Sequence, residues 1–302
     1  MINLKILCIG HAAYDITIPV SKYPEENKKH RVERRVECGG GPASNAAYLL
    51  GKWGLDTYFA GVIGNDEYGR VIKAEFESVG VNTKYLELKD GFKTTSSFIL
   101  ANSSNGSRTV FTYRPEEVKM KPFELDFEPT IILLDGQEPE ISMELINKYP
   151  ASISIIDAGR PKPEIMELAK RVDYLVCSKD YAEAVTGISI DYSDSNSYQS
   201  LFDALKNQYK NEIIVTLEDK GCLYEIDGDV KRMPSIEVNP IDSTGAGDIF
   251  HGAFTYALAK NFPLEDMLKV SNITGAMSVT RIGGRFSVPH IEEVMRAYHA
   301  FK

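Results

Sequence analysis

Five short apolar runs set the rhythm of the chain: Leu4 to Ile9, Ile131 to Leu134, Ile153 to Ile156, Tyr174 to Cys177 and Ile213 to Leu217. Bounded by Gly, Asp or Ser, they predict strands buried on both faces. Around them lie amphipathic stretches of helical length: Ala43 to Trp53, Tyr68 to Ser78, Pro163 to Arg171, Tyr198 to Tyr209, Gly247 to Lys260, Leu264 to Thr280 and Ile291 to Phe301. Such alternation predicts an α/β fold, a three-layer sandwich with a mostly parallel central sheet and helices on both faces.

Two stretches break the rhythm. Tyr14 to Glu37 and Thr94 to Tyr113 have the pattern of antiparallel strands, the second a hairpin of Ser96 to Ala101 and Arg108 to Tyr113 across a polar turn. Because they flank a helical unit, a sheet built from both, about 12–38 and 91–115, is expected to be a discontinuous β lid on a single domain spanning 1–302. Pro115 to Pro129 is expected to be a surface connection. Ser189 to Ser200, rich in Ser, Asp and Asn, is the expected mobile loop.

At 302 residues and 43% apolar content the chain suits one large domain with an appendage. A net charge of -9, from 34 Lys+Arg against 43 Asp+Glu, argues against nucleic acid and anionic membranes as partners. One basic cluster, Lys28, Lys29, Arg31, Arg34 and Arg35, has the spacing of a charge-guarded edge strand or of an anion receptor. Cys8, Cys38, Cys177 and Cys222 stand far apart with no CxxC pair, which predicts reduced core thiols in a cytoplasmic protein. The run from Leu4 to Ile9 is too short for a signal-peptide core, and nowhere do about 18 apolar residues run together.

The strongest chemical feature is Asp242-Ser243-Thr244-Gly245-Ala246-Gly247-Asp248, small residues opening directly into an apolar helix. Without large side chains, the Gly245, Ala246 and Gly247 amides can approach an anion, and a helix start adds unpaired N–H groups. Asp248, in the first turn, would stand beside this cradle to accept a proton from an attacking hydroxyl, or would only favour the helix dipole. A second cluster, Gly39-Gly40-Gly41-Pro42-Ala43-Ser44-Asn45, also joins a strand to a helix, with Asn45 offering both donor and acceptor to sugar hydroxyls. Ser44 spoils a dinucleotide fingerprint, and no P-loop motif occurs. Asp15, just past the first strand, is either a hydroxyl acceptor at a strand end or a turn residue.

With both clusters in order and about 200 residues apart, a spacing that suits one large domain, the chain resembles the ribokinase-like (PfkB) carbohydrate kinase family over essentially its whole length. Val279-Thr280-Arg281, Gly283 and Ser287-Val288-Pro289 resemble the ribokinase branch; Tyr23 to Glu26 and Ser104 to Thr109 resemble ketohexokinase. The resemblance implies an ATP-dependent sugar kinase using Mg2+ and K+, with Asp248 as base and Gly245, Ala246 and Gly247 as anion hole. It implies sugar contacts at Asp15, Gly40, Gly41, Asn45 and Gln137, the last standing where ribokinase has Glu. Nucleotide contacts are implied at Arg108, Ser178, Thr216, Glu218, Gly221 and Asn272. Asp242, Thr244, Ser278, Arg281, Gly283 and Ser287 match the monovalent-cation loop.

Ser178 and Tyr181 depart from the Asn and Glu of the family's N-x-x-E motif, which bears on magnesium handling. Gly283-Gly284-Arg285 and Phe250-His251-Gly252 also resemble kinases of anionic sugars such as sulfofructose. A ribose- or fructose-like sugar is the expected acceptor, with a nucleoside or an anionic sugar as alternatives. The competing class is a sugar- or nucleotide-binding protein that keeps the fold without the chemistry. Lid strands with apolar outer residues favour a homodimer, as in ribokinase.

Overall fold

The computed structural model describes residues 4–115 and 119–300. The N-terminal part runs β1 (Lys5–Ile9), β2 (Ala13–Val20), β3 (Val36–Gly40), α1 (Pro42–Lys52), β4 (Asp56–Gly64), α2 (Glu67–Ser78), β5 (Asn82–Lys89), β6 (Ser96–Asn102) and β7 (Arg108–Tyr113). The middle continues through β8 (Ile131–Leu134), α3 (Pro139–Lys148), β9 (Ile153–Ala158), α4 (Pro163–Ala169), β10 (Tyr174–Ser178), α5 (Lys179–Thr186), α6 (Ser195–Gln208) and β11 (Glu212–Thr216). It closes with β12 (Cys222–Ile226), β13 (Asp229–Met233), α7 (Ala246–Ala259), α8 (Leu264–Ser278) and α9 (Ile291–Ala300). Phe301, the expected end of the last helix, and residues 116–118 of the expected surface connection lie outside the described residues.

A nine-stranded sheet has the order β13-β12-β11-β10-β9-β8-β1-β4-β5. Its pairs from β11 through β5 are parallel, and only β11–β12 and β12–β13 are antiparallel. The apolar runs alternate between two cores: Ile6, Cys8, Leu133 and Val176 face one, while Leu7, Ile9, Leu134 and Cys177 face the other. Both faces are therefore covered by helices, which is why these strands carry unbroken apolar sequence. All four cysteines are free and buried.

β1 is the turning point of the winding. From it the chain proceeds to β4 and β5 on one side, then returns to β8 and proceeds outward through β9, β10 and β11 on the other. The carboxyl ends of β1 and β8 thus diverge into loops running in opposite directions, and an open α/β sheet has its crevice there.

A second sheet, ordered β3-β2-β6-β7, unites the two segments that broke the rhythm. It is mixed: β2 pairs β3 antiparallel and β6 pairs β7 antiparallel, but β2 and β6 run parallel, which corrects the expectation of an all-antiparallel sheet. Parallel pairing follows from the long crossover through α1, β4, α2 and β5 between them. The basic cluster is also corrected: residues 28–35 form no strand but an exposed connection between β2 and β3. Half of the expected mobile loop is helix, because Asp194 caps α6 by accepting the Asn196 N–H. Among the described residues no helix is long and apolar enough to cross a membrane.

Candidate active site

Two helix starts meet at the crevice. α1 and α7 pack against each other closely, and a Cβ on Gly252 would lie 3.1 Å from the Ala46 Cα. This contact sets the first turns side by side, so that Asn45 Nδ2 donates to Asp248 Oδ2 at 2.7 Å. The other amide atom, Asn45 Oδ1, is buried without a partner. Gly245 caps α7 in the left-handed region at φ 74°, a conformation that a side chain disfavours. A Cβ added at Gly247 would meet nothing within 4 Å, so the helix start faces open space of the kind a phosphoryl group fills.

Asp15 projects from β2 into the same crevice. Its place depends on Gly40 across the strand pair, where a Cβ would stand 1.9 Å from Asp15 Oδ2. Burial raises the Asp15 carboxyl to about 6; a hydrogen bond from Ser97 opposes the rise, and the nearby Asp248 charge adds to it. A cavity of about 360 Å3 opens between the sheets, lined among others by Asp15, Gly41, Arg108, Gln137, Gly245 and Asp248. Arg108 Nη1 donates to Ser243 Oγ at 2.7 Å, beside the glycine turn.

Two features here, Asp135 and the partnership of Asp157 with His251, escaped sequence reasoning, and Arg285, read there through a resemblance to kinases of anionic sugars, takes a different place. Asp135, immediately after β8, accepts the backbone N–H groups of His11 (2.7 Å), Gln137 (3.0 Å) and Ala43 (3.3 Å). It ties together the loop after β1, the start of α1 and its own loop. Burial raises its carboxyl to about 7, with those N–H groups acting against the rise. Asp157, at the end of β9, faces His251 Nδ1 at 3.3 Å, and burial holds this carboxyl above its usual range. The same ring contacts the Gly247 carbonyl at 2.7 Å through Nδ1 and the Val176 carbonyl at 3.1 Å through Nε2, which fastens α7 to the sheet. Arg285 is fully buried, pairing with Glu75 at 2.8 Å and Ser44 and lying over the Phe76 ring. It braces Gly39 and α1 from behind rather than lining the cavity, so it does not serve as an anion receptor there.

Farther along the sheet edge, Ser178 and Thr216 are register partners at the ends of β10 and β11. Ser178 caps α5 by accepting the Tyr181 N–H at 3.1 Å, and Tyr181 is buried with its hydroxyl 2.8 Å from that of Tyr209. Glu218 and Gly221 form the turn after β11. Asn272 donates to the Met233 and Pro234 carbonyls at 3.3 and 3.4 Å, backing that turn.

Asp242 accepts from the Thr244 and Gly283 amides at 2.9 and 2.8 Å, joining the loop before α7 to the loop after α8. Ser287 donates to the Gly284 carbonyl and Ser278 to the Gly275 carbonyl, both at 2.7 Å. Arg281 turns its side chain to Glu293 at 3.0 Å. The structure therefore brings Asp242, Thr244, Gly283 and Ser287 together, and leaves Arg281 with only its backbone to offer.

An open α/β sheet with buried carboxylates at its switch point, facing a glycine turn at a helix start, is the architecture of a phosphotransferase with an alcohol acceptor. The pfkB family carbohydrate kinase pattern matches residues 3–291, and the chain belongs to that family. It is 25% identical to a ribokinase of Staphylococcus aureus, covering 96% of this chain and 98% of that one. It is 27% identical to a deoxyribokinase of Salmonella typhi, covering 96% and 97%. Arabidopsis thaliana ribokinase, solved with ribose and ATP, superposes with a TM-score of 0.78 at 22% identity over 99% of both chains and shares the fold.

Proposed function

We propose that the chain transfers the γ-phosphoryl group of ATP to a primary hydroxyl of a monosaccharide held between the two sheets, with Asp248 as the base. The carrying observation is the Asn45–Asp248 pair beside the open start of α7. Asn45 Nδ2 orients the carboxylate, while the unpartnered Asn45 Oδ1 accepts a hydroxyl of the sugar, which Asp15, Gly40 and Gly41 also receive. The acceptor oxygen forms its bond to phosphorus as the bond to the ADP bridging oxygen breaks, and its proton passes to Asp248. Charge growing on the transferring oxygens meets the Gly245, Ala246 and Gly247 amides, which need no reorganisation.

ATP lies along the sheet edge over Ser178, Thr216, Glu218, Gly221 and Asn272, with Arg108 reaching its phosphates. ATP fits the relatives: the Arabidopsis ribokinase was solved with ribose and ATP. Potassium fits the loop of Asp242, Thr244, Ser278, Arg281, Gly283 and Ser287, where Thr244 Oγ1 is buried without a partner. A cation there would supply positive charge beside the anion hole. Magnesium is different: Ser178 is committed to its helix cap, Tyr181 is buried, and no group of three His, Cys, Asp or Glu suited to a metal occurs among the described residues. The residues do not fit a protein-held magnesium site, and the ion would arrive on the ATP phosphates.

The small sheet acts as the lid. Its outer residues Phe98, Phe111 and Tyr113 are exposed and apolar, and we assign this face to a homodimer contact. Four unpaired buried thiols suit the reducing cytoplasm.

Asp248→Asn keeps the hydrogen bond to Asn45 but removes the base. Turnover should fall by roughly 10² to 10⁴, with ATP affinity within about threefold. Near-normal turnover in this variant, measured as sugar-dependent ADP release, rejects the assignment.

A further inference from the structure

The cavity has a second, unassigned end. Along β7, alternate residues share a face, so Arg108, Val110 and Thr112 all line the cavity, and Arg114 just past the strand lines it too. Six residues of extended chain separate the two arginines by about 20 Å. Arg108 stands beside the glycine turn, and Arg114 therefore marks the end remote from transfer.

Arg114 Nη1 donates to Gln137 Oε1 at 2.5 Å. A neutral amide aims the guanidinium without cancelling its charge, as a carboxylate at that position would. Among the described residues Arg114 forms no ion pair; Glu138 feels its field but is buried and accepts the Met120 N–H. His11 lines the same end. Burial, with Arg114 as the second cause, lowers its pKa to about 4, so the ring adds no charge of its own. The transfer end carries Asp248, while Asp15 lies between the ends, in register through Ser97 with Thr112. Each end of the cavity thus holds one arginine: Arg108 at Ser243 beside the glycine turn, and Arg114 at Gln137, away from Asp248.

We propose that the acceptor carries an anionic group, carboxylate, phosphate or sulfonate, at the end remote from its reacting hydroxyl, and that Arg114, aimed by Gln137, binds it. This rests on the kinase reading. An anion at Arg114 holds the hydroxyl toward Asp248, whereas the reversed pose brings the anion against the Asp248 carboxylate and away from Arg114. Orientation and selection then come from one contact.

The test compares matched acceptors: ribose with ribose 1-phosphate, glucose with gluconate, and fructose with 6-deoxy-6-sulfofructose. ADP release is followed for wild type, Arg114→Gln and Gln137→Glu, and binding by calorimetry to Asp248→Asn. At least one anionic member should exceed its neutral twin in kcat/KM by about tenfold, and each of the two Arg114 and Gln137 variants should remove most of that ratio. Tighter binding of the same anion should persist in Asp248→Asn. Neutral twins preferred in every pair, or a ratio that neither variant moves, overturns the proposal. Preferential binding without ADP release from any acceptor would sink the kinase reading and leave the anion site standing.

Discussion

The two ends of the crevice are built from different materials. At the end we assign to the acceptor, Asp15, Asn45 and Asp248 are individual side chains whose positions depend on close backbone approach and on the α1–α7 contact. At the end we assign to the nucleotide, Ser178, Thr216 and Asn272 spend their hydrogen bonds on capping and bracing, and the surface they leave is largely shape and backbone. Specific chemistry is concentrated where the sheet changes winding direction, and a tolerant shelf lies beside it. The acceptor end should therefore respond sharply to single atoms and the nucleotide end should not.

Gly40→Ala is the largest challenge to this contrast. Its Cβ would stand 1.9 Å from Asp15 Oδ2, so the carboxylate must move. A misplacement of that size should lower kcat/KM for the sugar by roughly 10² while leaving the KM for ATP nearly unchanged. Parallel loss at both substrates would show that the ends are not separable.

A smaller effect follows from pH. With its carboxyl raised to about 6, Asp15 is protonated below that value and becomes an ionised acceptor for hydroxyls above it. Sugar kcat/KM should rise with pH through about 6 and then level, and this limb should vanish in Asp15→Asn. Persistence of the limb in the variant would assign it elsewhere. Thr216→Ala should have the smallest effect, since its hydroxyl is occupied by the Cys177 carbonyl at 3.3 Å. A change in ATP affinity of less than about fivefold is expected in a direct titration; a much larger one would make the nucleotide end as specific as its neighbour.

Sequence pattern revealed the strands buried on both faces, and Ile131–Leu134 coincides with its apolar run. β4 and β5 were missed for physical reasons. β4 is interrupted by Gly61 and ends on Gly64, and β5 is an edge strand with a half-exposed, Lys- and Glu-rich surface that lacks an apolar signal. Glycine clusters at helix starts advertised Asn45 and Asp248, because small residues beside a helix start have few other purposes. Asp135, Asp157 as the partner of His251, and Arg114 carried no such local mark. Their meaning comes from the sheet order, which sets the ends of β1, β8 and β9 beside α7, and from a strand face that only pairing defines.

The central claim is that phosphoryl transfer to a sugar hydroxyl occurs at the junction of α1 and α7. Its most direct measurement is phosphorus NMR of the wild-type protein with ATP and a panel of neutral and anionic sugars. One new sugar phosphomonoester, formed in equal amount to ADP, is the predicted result. ADP accompanied only by inorganic phosphate, at a rate indifferent to every sugar, would contradict it.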